Sequence, residues 1–248
     1  MEELSIRRLL RYIPVVHHKT GANIHLTPHK YWANAKSRHQ CQEACFLMSM
    51  RLQNLKTVQF PKSSHGPTVP LRFIECFTGV AMKETNGHLY VTGTPEEIEQ
   101  VACLLDFYHR MSNQRNKNPD IHAYMIHIKD HRCLPRLRSF RTLLQEKTGV
   151  VIVEKKDVAV GSFHFQCNPQ QFMEIDFLVR LCLQHVSTYY YLPFTNHPIP
   201  LDFITTFGNV MLSVSKEGQK ISITGTPEEQ TLAIQLIEYY NGTHTKGS

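Results

Sequence analysis

Residues 92–97 read Thr-Gly-Thr-Pro-Glu-Glu, and the same six residues return at positions 224–229. In each copy a short strand-like run precedes the motif, and an apolar run with helical spacing follows it. The second threonine can cap a helix, the proline suits the first helical position, and the second glutamate completes a capping box. Each copy therefore predicts a strand that ends at the motif and a helix that begins there.

Further matches between the two halves of the chain lie at nearly the same separation. Val69–Ile74 is similar to Ile199–Ile204, and Lys19–Ile24 is similar to Lys147–Ile152. These matches are 128 to 132 residues apart, so the sequence predicts that its first half is duplicated in the second.

Capping boxes divide each half again. Boxes that are each followed by an apolar helix begin at four positions, Ser37, Thr94, Asn168 and Thr226. They predict four modules, at residues 1–55, 56–111, 121–185 and 186–243, with the polar stretch 111–120 as a linker. The predicted fold class is α+β, with three-stranded sheets that carry helices on one face. In the first module we expect a loop at Thr27–Lys36 and a helix at Gln40–Leu55.

Composition excludes several classes of protein. The apolar runs of the 248-residue chain are too short to span a membrane, and its first residues do not resemble a signal peptide. Seven scattered cysteines favour a reducing compartment, so we expect a cytoplasmic protein. No nucleotide-binding loop, catalytic triad order or standard zinc spacing occurs, and we therefore predict no enzyme, no metal site and no cofactor.

Charge alternates along the chain. Residues 1–60 and 111–190 carry net charges of +6 and +4, whereas residues 61–110 and 191–248 carry −2 each. The basic segments are typical of proteins that bind a polyanion, although solvated helix faces also account for them.

The order strand, two helices, strand, variable loop, strand and helix is that of the type I KH module. The stretches KTGANIHL and KTGVVIVE resemble the end of the second KH helix and the strand after it, and the two TGTPEE stretches resemble the last strand and last helix. Full and shorter modules alternate twice, which resembles the tandem KH region of the Bicaudal-C family of germline and developmental RNA regulators. The resemblance implies a role in a cytoplasmic complex that controls poly(A) tails or translation.

A working KH module clamps single-stranded nucleic acid with a Gly-X-X-Gly loop. No two glycines in this chain are three residues apart, so no such loop exists. The positions where it belongs hold arginines at Arg7–Leu10 and at Pro135–Arg138. The candidate RNA-binding residues are therefore the basic residues in and around these segments: Arg7, Arg8, Arg11, Lys19, Arg132, Arg136, Arg138, Arg141 and Lys147.

Three interpretations of these arginines remain open. They bind phosphate through guanidinium groups, they are solvated residues of modules that bind proteins, or the register places the loop wrongly. Two functions follow: an RNA-binding protein of post-transcriptional mRNA regulation, or a protein-interaction scaffold whose KH modules have lost RNA binding. The expected partners are single-stranded RNA and proteins of an mRNA-regulating complex. No binding to a membrane is expected.

Overall fold

The computed structural model describes residues 2–61, 69–112, 120–128, 130–156, 161–192, 199–215 and 220–244. The chain divides into two compact units, Met1–Arg115 (unit 1) and Asn116–Ser248 (unit 2). The division falls within the polar stretch 111–120. Both units contain α-helices and small antiparallel sheets, so the chain is an α+β protein.

Unit 1 begins with two helices that are joined by a single 3₁₀ turn. Its elements are α1 (Glu2–Leu9), the 3₁₀ turn Leu10–Tyr12, α2 (Ile13–Thr20), β1 (Asn23–Leu26), β2 (Tyr31–Asn34), α3 (Arg38–Met50), β3 (Lys56–Pro61), α4 (Leu71–Thr78), β4 (Ala81–Thr85), β5 (His88–Gly93) and α5 (Pro95–Ser112). An Asn86-Gly87 turn joins β4 to β5, and both residues have positive φ, as this residue pair favours in hairpins.

Unit 2 begins with a strand. Its elements are β6 (His122–Ile128), the 3₁₀ turn His131–Cys133, α6 (Leu134–Thr148), β7 (Ile152–Lys156), β8 (Gly161–Cys167), α7 (Pro169–Leu183), β9 (Ser187–Tyr191), α8 (Leu201–Gly208), β10 (Met211–Val214), β11 (Ile221–Gly225) and α9 (Pro227–His244).

In the described residues, three of the four sheets have three antiparallel strands, in the orders β3-β5-β4, β6-β8-β7 and β10-β11-β9. In each, the strand that comes last in the chain lies in the centre and carries much of the core. Leu89 and Val91 of β5, Phe163 and Phe165 of β8, and Ile223 of β11 are buried. Helices α1, α4 and α5 contact the β3-β5-β4 sheet, α7 contacts the β6-β8-β7 sheet, and α8 and α9 contact the β10-β11-β9 sheet.

The fourth sheet corrects two predictions for the first module. Thr27–Lys36 is not a loop throughout, because Tyr31–Asn34 forms β2 and pairs with β1. The Thr27 backbone N–H donates to the Lys30 carbonyl at 2.8 Å, which closes the hairpin turn. The sheet has only two strands in the described residues, since no strand precedes the helices of this module there. Both strands are only half-buried, unlike the central strands elsewhere.

Helix α3 is also shorter than predicted, because it ends at Met50 and not at Leu55. The next residues form a turn in which Asn54 has a positive φ of 57°. A left-handed residue cannot continue an α-helix, so the apolar spacing at Leu52 and Leu55 does not extend it.

The capping boxes form as the sequence predicts. The backbone N–H groups of Thr94 and Thr226 each donate to the glutamate three residues later, at 2.9 Å in both units. The boxes at Ser37 and Asn168 are complete as well. Among the described residues, no helix has the length and apolar character needed to cross a membrane.

Candidate functional site

Both positions that should hold a nucleotide-gripping loop are helical. Arg7–Leu10 covers the end of α1 and the start of the 3₁₀ turn, and Pro135–Arg138 lies within the first two turns of α6. Both segments are therefore helical, and neither forms a loop. Leucine and arginine favour helix, and no glycine is present there to break it.

In unit 1, Arg8 is directed into the protein. Its side chain is 2% exposed, and its guanidinium is 2.5 Å from the Glu97 carboxylate. Glu97 is the glutamate of the first TGTPEE motif and also accepts the Thr94 backbone N–H. One carboxylate thus caps α5 and holds an arginine from the end of α1, 89 residues earlier.

In unit 2, Arg136 makes the corresponding contact with the second motif. Its guanidinium donates to both oxygens of Glu229, at 3.0 and 2.7 Å, and to the Cys182 carbonyl at 2.9 Å. The Arg136 side chain is 10% exposed. Burial alone would lower the pKa of Arg136, but the Glu229 charge and the hydrogen bonds outweigh it and raise the pKa. We call the Arg8–Glu97 and Arg136–Glu229 pairs the two arginine joints.

The arginine joints were missed by the sequence analysis. A signal existed, since Arg8 and Arg136 lie twelve residues before the matched threonines Thr20 and Thr148. Nothing local connects either arginine to a glutamate about 90 residues further on, because the contact depends on how the modules pack.

Three other candidate residues form ion pairs or main-chain contacts with neighbouring elements of their own unit. Arg7 donates to the Met82 carbonyl at 3.1 Å, while Arg138 pairs with Glu154 on β7 at 2.5 Å. Lys147 lies 2.7 Å from Glu174 on α7.

The remaining candidates make local contacts. Arg132 forms a bidentate pair with the nearby Asp130, and Arg141 donates to Gln145 at 3.2 Å. Arg11 is exposed and donates to the Tyr12 hydroxyl at 2.8 Å. Lys19 is half-buried and has an interaction partner of its own. All nine predicted residues are therefore engaged within the protein, and the structure does not gather them into one exposed phosphate groove within either unit.

An exposed aromatic and basic surface lies elsewhere in unit 2. The Tyr190 ring on the edge strand β9 is 52% exposed, and the Lys220 ammonium lies 3.9 Å from its centroid. Tyr189 and Leu192 are exposed beside it. Hydrogen bonds to Asp130, and more weakly the Tyr190 phenol, raise the pKa of Arg132.

Within the described ranges, no cluster of three or more histidine, cysteine or acidic side chains is arranged to hold a metal ion. The buried cysteines are weakly acidic. Burial raises the pKa of Cys182 to about 11, although the nearby Arg136 opposes this shift.

No protein-family model matches the chain, and no curated protein sequence matches it. Two solved structures show a distant likeness. ExeD of Aeromonas hydrophila is 13% identical, with a TM-score of 0.26, and the match covers 76% of this chain and 41% of that one. The pilotin–secretin complex AspS–GspD of ETEC is 14% identical, with a TM-score of 0.25, and the match covers 75% of this chain and 38% of that one. The chain spans about two fifths of each of these proteins, and likeness at this level carries no conclusion about fold or function.

Proposed function

We propose that the chain is a non-enzymatic scaffold of ribonucleoprotein complexes, built from KH-type modules. In these modules the positions that bind RNA in a working KH module would instead form ion pairs within the protein. Each unit would contain one full and one shorter module, so that the two units are copies of one ancestral pair. The partners would be proteins of a cytoplasmic complex that regulates mRNA, as the resemblance to the Bicaudal-C family implies.

The arginine joints carry this proposal. At the positions where a KH module clamps phosphates, Arg8 and Arg136 instead pair with carboxylates of the adjoining short module. The same glutamates cap the last helix of each unit, so each joint connects the helix that carries the arginine to the final helix. A scaffold needs this kind of fixed relation between its surfaces.

Energies favour the joint over an RNA contact. Removing the partner of a buried charge costs about 3–5 kcal/mol. A new hydrogen bond from a charged group returns about 1.5–3 kcal/mol. Arg8 and Arg136 would lose more by turning to an RNA phosphate than one such bond returns, so they favour the internal pair.

Matched contacts in the two units support the proposed duplication. The hydroxyls of Thr20 and Thr148 both donate to the carbonyl four residues earlier, at 2.8 and 2.7 Å. The glycine that follows each threonine is left-handed and ends the helix. Elsewhere, paired threonine hydroxyls connect the first and central strands of both short modules at 2.8 Å.

Affinity capture before and after nuclease treatment tests the scaffold. We expect the bound proteins to remain after RNA is removed, because the proposed surfaces contact protein. The purified chain should show no salt-dependent mobility shift with single-stranded RNA. Loss of the partners with nuclease, together with a salt-dependent shift, would contradict the scaffold proposal.

RNA binding at a different surface is the second candidate function, and the exposed Tyr190 beside Lys220 favours it. Aromatic rings stack on bases, and a neighbouring ammonium can contact the backbone. Tyr190→Ala and Lys220→Gln should then each weaken RNA binding. Arg180→Gln, which removes a 77% exposed arginine elsewhere in unit 2, should leave RNA binding close to that of the wild type.

A further inference from the structure

Unit 1 places two guanidinium groups against one tyrosine ring, with a third nearby. The Arg51 guanidinium carbon lies 4.2 Å from the centre of the Tyr12 ring, and that of Arg11 lies 4.9 Å from it. Arg8 is adjacent, since its charge acts on both Tyr12 and Arg51. We call Arg8, Arg11 and Arg51 the arginine cluster.

Positive charge is concentrated here. Burial alone would raise the pKa of Tyr12, but the three arginines, Arg51 foremost, outweigh it and lower the pKa. The pKa of Arg51 is lowered by burial and by its like-charged neighbours Arg11 and Arg8, which Tyr12 and Glu97 only partly offset. Glu97 is the carboxylate that acts on both Tyr12 and Arg51, and it is already bound to Arg8.

Arg8 also has hydrogen-bonding capacity to spare. Its Nε and Nη1 atoms are buried and have no hydrogen-bond partner in the described part of the chain. A buried donor without a partner destabilises the fold, so such groups normally bind something. Two free donors of a guanidinium at a site with surplus positive charge fit the oxygens of an anion.

Unit 2 provides a comparison within the same protein. The counterpart of Arg8 is Arg136, whereas the positions of Arg11, Tyr12 and Arg51 are taken by Ser139, Phe140 and Cys182, counted from the matched threonines and capping boxes. Unit 2 therefore has one arginine at this place. Arg136 has the Glu229 carboxylate and two carbonyls as acceptors. The surplus of positive charge is a property of unit 1.

We propose that the arginine cluster binds a small phosphate-type oxyanion between Arg8, Arg11 and Arg51. A compact ligand is required because Arg8 is almost fully buried and Tyr12 is buried. Arg11 is the exposed member of the cluster and lies against Gly79, where any side chain would meet its guanidinium. This proposal does not depend on the proposed scaffold function.

Thermal unfolding of the full chain in phosphate and in chloride, at equal ionic strength, tests the proposal. The single tryptophan, Trp32, lies in unit 1, so its fluorescence follows the unit that holds the cluster. With a dissociation constant of about 1 mM, about 20 mM phosphate should raise the melting temperature by about 5 °C. Parallel samples with AMP distinguish a phosphate ester from the free ion.

Arg11→Ser introduces the residue found in unit 2. Its effect on the melting temperature, relative to the wild type, should have opposite signs in chloride and in phosphate. In chloride the variant should melt at or above the wild-type temperature, because a like charge has been removed. In phosphate it should melt below the wild type. Arg51→Met should show the same reversal, whereas the matched control Arg180→Gln should keep the full phosphate shift. A purely structural arginine would lose stability in both salts.

Three results would overturn the proposal. If phosphate raises the melting temperature of the wild type and of Arg11→Ser equally, the rise is a general salt effect. If the melting temperature does not shift and calorimetry of the wild type shows no heat of phosphate binding, then water and not an anion is the partner of the buried Arg8 N–H groups. A larger, cluster-dependent shift with poly(U) at the same phosphate concentration would assign the site to RNA.

Discussion

The joint in unit 2 can be tested by one conservative change, Glu229→Gln. Glutamine keeps the length and the acceptor oxygen, so the Thr226 backbone N–H keeps its partner and the capping box survives. Arg136 keeps its hydrogen bond to the Cys182 carbonyl. The change therefore removes the negative charge, and it also replaces the Oε1 acceptor of Arg136 and of the Asn209 side-chain amide by a donor.

The expected loss follows from the geometry of the pair. Unit charges about 4 Å apart attract by about 4 kcal/mol at an effective dielectric constant of about 20. Removing one partner of a buried pair costs about 3–5 kcal/mol. Both side chains retain slight exposure, 10% for Arg136 and 16% for Glu229, and glutamine still accepts a hydrogen bond. We therefore expect a loss of about 3 kcal/mol, or about 10 °C in the melting temperature of unit 2.

Two probes separate the units. Circular dichroism at 222 nm follows the helices of both, while Trp32 fluorescence follows unit 1. In urea unfolding of Glu229→Gln, part of the change in circular dichroism should occur at a lower urea concentration than in the wild type. The midpoint of the Trp32 fluorescence transition should not move. Glu97→Gln should do the opposite, because it breaks the joint of unit 1.

A surface pair serves as the control for this experiment. Arg180 and Asp176 are four residues apart on α7, and Arg180 is 77% exposed. Arg180→Gln should cost less than about 0.5 kcal/mol. If Glu229→Gln costs no more than this control, the joint does not hold the modules together and the scaffold proposal loses its main support. A double-mutant cycle with Arg136→Gln isolates the energy of the pair.

The remaining predictions concern packing and thiols. Gly93→Ala should lower the free energy of unfolding by about 1–3 kcal/mol, because the new Cβ would lie 2.7 Å from Val80 Cγ1. Gly242 lies in α9, and a Cβ there would meet no atom within 4 Å, so Gly242→Ala should raise the free energy of unfolding by about 0.5–1 kcal/mol. The raised pKa of Cys182 predicts that its contribution to stability is complete below pH 9 and disappears as the pH rises towards about 11, since only the unfolded thiol ionises in that window. The difference in the free energy of unfolding between wild type and Cys182→Ala, measured with urea, should therefore change by up to about 3 kcal/mol between pH 9 and 11. A difference that stays constant over this pH range would contradict the raised pKa. Thiol labelling should reach the exposed Cys76 before the buried Cys182, and equal rates would refute the burial of Cys182.

Much of the fold could be read from the sequence where contacts are local. The capping boxes, the Asn86-Gly87 turn and the helix ends at Gly21 and Gly149 depend on residues within a few positions of each other. The hairpin strand Tyr31–Asn34 was missed because its four residues are too few for a clear alternation, and its identity rests on pairing with β1.

The candidate site was predicted only as a set of residues. The sequence singled out the arginines near the expected loop positions, but it left open whether they bind phosphate, are solvated residues of protein-binding modules, or lie outside the true loop position. It also treated both segments as equivalent, whereas unit 1 places the Arg11 and Arg51 guanidiniums against Tyr12 and unit 2 has Phe140 at the matching position.

The sequence by itself determined the helix caps and the Asn86-Gly87 turn, because these are specified by side chains and glycines acting on their own neighbouring backbone. Only the tertiary structure decided what the arginines contact. Arg8 and Glu97 are 89 residues apart, and Arg136 and Glu229 are 93 apart, yet packing brings each pair within hydrogen-bonding distance. Burial then makes these charges costly to separate, and no local pattern of residues encodes that burial.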